Sequence, residues 1–474
     1  MSRFSRWSAG ELANFVDGSL SPALAPDTQI RDFFARVWAC GKGSLFVPLE
    51  FEGPRQIRMT RNAVTKRGAI GGMVDEAKGL DNELPYILVP DLQQAALKLA
   101  HHTREAYSGK MVGVTGSAGK TTTTAMIATC LRKHGTAWKT RNNNNATPQV
   151  TTNVISIPEE NEYAVIELAL SGGHRVSDAA SIARPHVAII TSISKAHIES
   201  FAEEDDPAQA VVNEKLSIMD HVVPGGSVVL PSASEHFDQM LAYAEKSERI
   251  DKIITCGARK EDDVRVIASE SFDTGERVTL ASDDEMVIVD IPFVGAHMQS
   301  NTLLVAGAMR ALNLPAASAT AVSDTAQTMS SLIIYDADFS GKRVRVFNDS
   351  YNSTDQNVKA HCELAGARPG RKFLIVSDVP KLAHYAEEIH AELLPHIDAA
   401  GFEHVITVGP YFMKAAAGLK TPSSSFDDRF QAIARVLELI QDGDTIFVKG
   451  SPESEFKDIM MRIGDAAEIK RVTG

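Results

Sequence analysis

Cysteine is scarce: Cys40, Cys130, Cys256 and Cys362 are the only four in 474 residues, scattered without metal-ligand spacing. That excludes a disulfide framework and a thiolate metal centre, and leaves four reduced, mostly buried thiols with no assigned chemistry. Long apolar runs are missing too, so no segment is expected to insert in a membrane. The opening MSRFSRWSAGELANF is broken by polar residues where a secretion leader would need an unbroken apolar run, and a cytoplasmic protein is expected. Basic charge is in deficit, with 48 Lys and Arg against 61 Asp and Glu and a net charge of −13. A general nucleic-acid surface needs the opposite balance, so no nucleic-acid partner is expected. Pro/Ser-rich linkers are absent as well, which predicts parts that meet around a shared cleft.

What is present is concentrated in Met111 to Thr124, MVGVTGSAGKTTTT. The apolar start, Met111 to Val114, reads as a buried parallel strand, and Thr121 to Leu131 reads as a helix. Between them, Gly116 and Gly119 allow a sharp turn that points backbone N–H groups of Gly116, Ser117, Ala118 and Gly119 at an anion, where the helix N-terminus adds its positive end. Lys120 can reach the β- and γ-phosphates of a nucleotide, and the hydroxyl of Thr121 or Thr122 can ligate its magnesium. The usual eight-residue phosphate-loop pattern has a glycine five positions before Gly119; here Val114 stands there, so only the second half fits.

At 474 residues the chain is too long for one ordinary core. An α/β fold in three domains is predicted. Residues 1–108 form a small α/β domain for substrate recognition, with strands at 44–49, 69–74 and 86–89 and helices near 56–67 and 91–107. Residues 109–332 alternate strand and helix, which predicts a doubly wound, mostly parallel phosphate-loop sheet with its ligand at the carboxyl ends of the strands. An antiparallel appendage at 264–291 and a helix at 299–312 follow. Residues 333–474 repeat the α/β rhythm through strands at 344–347, 373–376, 404–408 and 445–448, a Rossmann-like unit.

The strand Tyr163–Ile166 ends in Glu167, placed to offer a carboxylate oxygen to the magnesium of a bound triphosphate. The strand at 187–191 leads to His197, and Lys215 lies in a helix beyond. Singly, these residues read as a solvated acid, a hydrogen-bonded loop histidine and a solvated lysine. Together with the phosphate loop, Asn142 to Asn145, Arg184-Pro185, Ala196-His197-Ile198-Glu199-Ser200-Phe201 and Gly295-Ala296-His297 with Asn301, the chain resembles the Mur ligase family in order and spacing. Asn348-Asp349-Ser350-Tyr351-Asn352 and Val448-Lys449-Gly450-Ser451 are most similar to the branch that adds D-alanyl-D-alanine to a UDP-N-acetylmuramoyl tripeptide.

The resemblance implies an ATP-dependent ligase that phosphorylates a substrate carboxylate and lets an amine attack the acyl phosphate, leaving amide, ADP and phosphate. Its partners are small molecules, a carboxylate and an amino acid or dipeptide, and a monomer or weak dimer is expected. By similarity, Thr121 and Glu167 hold one magnesium ion, while His197 and a carbamylated Lys215 help hold a second. Lys120 neutralises charge on the transferring phosphoryl group. Asn301, Asp349, Tyr351 and Asn352 face the nucleotide; Asn144, Asn145, Lys449 and Ser451 face the substrates. If ATP sits on one domain and Asp349 and Lys449 on another, the cleft must close to keep water from the acyl phosphate.

The departures from the family pattern concern the substrate. Arg31 to Arg36 replace an Asp-Ser-Arg signature, Pro54-Arg55-Gln56 follow Gly53, Ser171 ends the Glu167 motif, and Ser353-Thr354-Asp355 follow Asn352. They leave open a ligase of a non-cell-wall pathway, making a peptide-like secondary metabolite or a poly-amino-acid. Two further alternatives are an NTPase or small-molecule kinase, which would release ADP without needing an amine, and a partner-dependent binding subunit.

Overall fold

In the computed structural model the run Lys110–Thr115 lies inside a nine-stranded sheet and is buried from Met111 onward. The structure describes residues 7–76, 78–141, 144–170, 173–272, 275–283, 285–292, 296–325, 332–350, 353–451, 454, 456 and 470–471. A strand covered on both faces needs an unbroken apolar sequence, and side-chain alternation divides this one between two cores. Met111 belongs to the core that holds Leu99, Ala164, Ile190 and Val212, and Val112 and Val114 belong to the one that holds Met126, Ile189 and Val229.

Strand order decides what stands beside the glycine loop. From one edge the sheet runs Glu285–Ile291, Glu276–Ser282, Val264–Ser271, Ile250–Gly257, Gly226–Pro231, Val187–Ile190, Lys110–Thr115, Tyr163–Glu167 and Ala137–Lys139. The first three strands pair antiparallel, as the two-residue periodicity near 264–291 predicts, and the remainder are parallel. The phosphate-loop strand therefore has the Glu167 strand on one side and the strand leading to His197 on the other. Register fixes them level: Glu167 is opposite Val114, and Ile190 is opposite Thr115. Three carboxyl ends open on one crevice, which is where doubly wound sheets bind ligands.

Beyond its first turn the helix Lys120–Leu131 is buried almost all round, because it is covered twice. It packs on the sheet beside the helix Ala296–Ala311, which lies on the neighbouring strands and shares its core through Met298, Leu304 and Met309.

A second sheet, of seven strands, runs Ser423–Phe426, His404–Val408, Lys372–Ser377, Thr445–Lys449, Lys342–Asp349, Ile333–Phe339 and Lys470–Arg471. Its first five strands are parallel. Phe347 and Phe447, facing one another across two of them, stack at 4.8 Å, a contact worth about 1 kcal/mol beyond area burial. A five-stranded sheet from residues 19–88 completes the main framework. No helix among the described residues is long and apolar enough to cross a membrane, and all four cysteines are buried free thiols.

Candidate active site

The glycine loop is held by the chain that follows the strand Val187–Ile190. Ser117 N–H donates to Ser192 O (2.8 Å) and Ala118 N–H to Ser192 Oγ (2.9 Å), while Ser194 N–H donates to Ser117 Oγ (2.9 Å). This differs from the expectation that these N–H groups face an anion: those of Ser117 and Ala118 anchor the loop, because residues 192–194 lie against it. Both glycines are required by contact and conformation together. Gly116 has φ +143°, and a Cβ there would stand 2.1 Å from Thr191 Oγ1; Gly119 has φ +81°, and its Cβ would stand 2.7 Å from Asn301 Oδ1. Asn301, buried on the neighbouring helix, thus touches the turn where the helix Lys120–Leu131 begins. Thr122, next along that helix, is partly exposed.

Lys120 and Glu167 oppose one another. Lys120 Nζ donates to Gly116 O (2.7 Å) and Ser117 O (3.3 Å), and burial lowers its pKa despite Glu167 nearby. Glu167 is 1% exposed and accepts from Asn145 Nδ2 (2.7 Å) and Thr121 Oγ1 (3.1 Å). Burial raises the Glu167 carboxyl, with Lys120 and these donors pulling the other way. The sequence motif set Asn145 beside a substrate; the structure sets it on Glu167. Asn144 is buried, its backbone carbonyl taken by Asn153 Nδ2 (2.7 Å), and its side-chain Oδ1 has no partner among the described residues.

His197 adopts a left-handed backbone (φ 66°) at the start of the turn Ile198–Phe201, which packs against the helix Pro207–Leu216 that carries Lys215. Lys215 is 1% exposed. Burial, with Lys120 adding repulsion against a smaller attraction from Glu214, brings its pKa down to about 7. His197 is lowered to about 3 by burial and then by the cations Lys120, Lys215 and Lys381, so its ring is neutral at working pH and able to ligate a metal. Sequence reading missed the clamp behind this pair. Glu214 accepts from Val176 N–H and lies 3.5 Å from Arg175, whose guanidinium covers the Phe201 ring at 4.5 Å. An acid directly before Lys215 was the one visible signal.

Among the described residues no three His, Cys, Asp or Glu side chains gather into a ready metal cage. The buried Glu167 carboxylate beside the Thr121 hydroxyl nevertheless fits magnesium, which takes one or two carboxylates and completes its shell with water and phosphate. Around His197 the fit is conditional, because Lys215 as an ammonium would repel a cation.

On the second sheet, Asp349 and Lys449 lie side by side in register, with Lys449 Nζ 3.0 Å from Asp349 Oδ2. Lys449 is fully buried and does not line the cavity of about 400 Å³ at the carboxyl ends of this sheet. Ser451 does, together with Asp378, Lys381, Tyr411, Asp427 and Arg429. Tyr351 and Asn352 lie outside the described residues.

The two sheets meet at the chain that carries His197. Gln356 Nε2 donates to Ile193 O (3.0 Å), and Lys195 pairs with Glu392 (2.7 Å). A phosphate loop, a facing carboxylate and a second α/β sheet on the same crevice are the parts of an ATP-dependent ligase. Two family models bear this out, the Mur ligase middle domain over residues 114–309 and the Mur ligase glutamate ligase domain over residues 337–452, and the chain belongs to the Mur ligase family, whose members form amide bonds with ATP. A UDP-N-acetylmuramoyl-tripeptide–D-alanyl-D-alanine ligase of Rickettsia prowazekii is 26% identical over 86% of this chain and 90% of its own length. MurF from Acinetobacter baumannii shares the fold at a TM-score of 0.81, with 21% identity over 97% of this chain and 99% of that one. MurF from Thermotoga maritima, solved in complex with ADP, aligns at 0.72 with 19% identity over 92% and 97%.

Proposed function

We propose that this enzyme joins D-alanyl-D-alanine to the free carboxylate of a UDP-N-acetylmuramoyl tripeptide, in peptidoglycan biosynthesis. The observation that carries the reading is the convergence of Lys120, Thr121, Glu167, His197 and Lys215 on one crevice that a second sheet, with its own cavity, closes from the other side. The names of the full-length relatives favour this pair of substrates over a non-cell-wall pathway. The residues before 109 then recognise the nucleotide sugar, residues 109–332 hold ATP, and residues 333–474 close on it and bind the dipeptide.

In the first step a carboxylate oxygen attacks the γ-phosphorus of ATP, the bond from that phosphorus to the bridging oxygen breaks, and ADP leaves. In the second the dipeptide nitrogen attacks the acyl carbon, inorganic phosphate leaves, and the nitrogen loses its proton. Lys120 offsets the charge that develops on the transferring group. Asn301 keeps the glycine turn in place beneath the nucleotide, and Asp349, held by Lys449, faces it from the second sheet. Asn145 and Thr121 orient Glu167. Magnesium, held by Thr121 and Glu167 and at a second position by His197 and a carbamylated Lys215, would supply charge neutralisation. The carbamate replaces the ammonium by an oxygen-bearing anion, and a lysine lowered to about 7 exposes enough neutral amine to react with carbon dioxide. Ser451 lines the dipeptide cavity.

The test is ADP release from ATP and magnesium with the muramoyl tripeptide and D-alanyl-D-alanine supplied together and singly, with product masses read from the same tubes. An amide that requires both supports the reading. ADP and an amide formed only from other carboxylate–amine pairs would overturn the cell-wall assignment.

A further inference from the structure

We propose that Lys381, on the loop after the strand Lys372–Ser377, is a catalytic cation that reaches across the cleft to the γ-phosphoryl group. The inference rests on the ATP-ligase reading above and adds to it a residue from the opposite sheet.

The loop is built to present that side chain. At its start the Asp378 carboxylate accepts from Tyr411 N–H (3.1 Å) and Phe412 N–H (2.8 Å), and Val379 N–H donates to the buried His390 Nε2 (2.9 Å). Leu382 is buried, so the chain is pinned on either side of an exposed Lys381. Lys381 and Ala383 both adopt left-handed backbone, φ 64° and 47°. Side chains with a Cβ pay about 1 kcal/mol or more for that conformation, and such residues persist where the surroundings over-determine them. The following turn, Ala383–Tyr385, packs against Ile198–Phe201, the turn that His197 opens. Two left-handed segments, one from each sheet, therefore meet beside the phosphate loop.

The position of Lys381 is that of a bridge. It lines the cavity that Ser451 and Arg429 share, and the turn that follows it packs against the one that His197 opens. Lys381 sets a second cation opposite Lys120, and like charges brought together across a cleft are relieved by an anion that joins them. A triphosphate is the anion that the glycine loop already selects. Because Lys381 arrives only with the second sheet, phosphoryl transfer is coupled to closure: the full positive field exists only when water is excluded.

The test compares wild type with Lys381→Ala and Lys381→Arg in the full chain, by calorimetric titration with the magnesium complexes of ADP and of β,γ-imido-ATP, and by steady-state kinetics. Loss of one charge-assisted contact is expected to weaken the imido analogue at least about tenfold. ADP affinity and the thermal midpoint should stay unchanged, the KM for dipeptide should move little, kcat should fall by at least the same factor, and arginine should recover most of it. Unchanged preference for the triphosphate in Lys381→Ala overturns the proposal, and a rise confined to the dipeptide KM would reassign Lys381 to the acceptor cavity. A wild type that binds neither nucleotide would instead sink the ATP-ligase reading itself.

Discussion

At the scale of single residues, the site depends on ionisable groups held away from their ordinary states. Lys215 is the clearest. A buried lysine brought down to about 7, with Lys120 repelling its charged form, fits the carbamate proposed for it. Lys215→Ala is expected to lose about a hundredfold or more in kcat, the scale of removing a group that stabilises transition-state charge. Added short-chain carboxylic acids should restore part of it by placing an oxygen anion in the vacated space. Unaltered activity in Lys215→Ala would remove this residue from the chemistry. Away from the site, His186 is lowered to about 4, first by burial and then by Arg104, and its Nδ1 accepts from Met111 N–H at 2.9 Å. Its folded pKa lies below the unfolded value near 6.5, so the unfolded chain binds the extra proton and stability is lost as pH falls from about 6.5 to 4. Urea midpoints measured at pH 7 and pH 5 should therefore separate, and His186→Asn, which keeps an acceptor but cannot titrate, should narrow the gap. An equal gap in both proteins would show that His186 does not titrate across this window.

At the scale of elements, the strand–loop–helix unit predicts an order of damage. An alanine Cβ at Gly116 meets Thr191 Oγ1 and then the Ser192 backbone at 2.9 Å, which has nowhere to go; at Gly119 it meets the amide end of Asn301, which can turn aside. Gly116→Ala should thus cost more stability than Gly119→Ala, with each losing about 1 kcal/mol or more from left-handed strain alone. Denaturant titration reads this directly, and equal losses would mean that the loop relaxes around either methyl. This unit was legible in the sequence to within a residue or two, because a continuous apolar run stops at glycine and a helical run follows. The short strands before residue 40 were not legible, since two or three residues show no period. The strand Ile333–Phe339 also escaped: its main partner Lys342–Asp349 follows after a two-residue Ser340-Gly341 turn, and the hairpin pairing defines it more than any pattern of its own. Of the site, Lys120, Thr121, Glu167, His197 and Lys215 were visible because each sits at a strand end or in a motif. Lys381 and the Arg175–Glu214 clamp were not, because what matters in them is tertiary contact, and a lone lysine in a loop carries no pattern.

At the scale of the whole molecule, the contacts between the two large sheets bear on how the enzyme moves. Lys195 and Glu392 form their ion pair with about a third and nearly half of each side chain exposed. Such a pair contributes roughly 0–1 kcal/mol, and a single hydrogen bond such as Gln356 to Ile193 adds a similar amount. Contacts this weak add little to the hold between the sheets, which suits the proposed opening of the cleft to load substrates and its closing before an acyl phosphate meets water. Small-angle scattering should show a smaller radius of gyration with nucleotide, tripeptide and dipeptide analogue than without, and identical profiles would rule out closure on this scale. Glu392→Lys sets two cations against each other at the junction without touching the catalytic crevice. A penalty of about 1 kcal/mol shifts the open–closed equilibrium by roughly fivefold, so kcat should fall by a few-fold while ADP affinity and the unfolding midpoint hold. A fall in the midpoint without any change in kcat would mean that the junction is structural, and that catalysis does not wait on its closing.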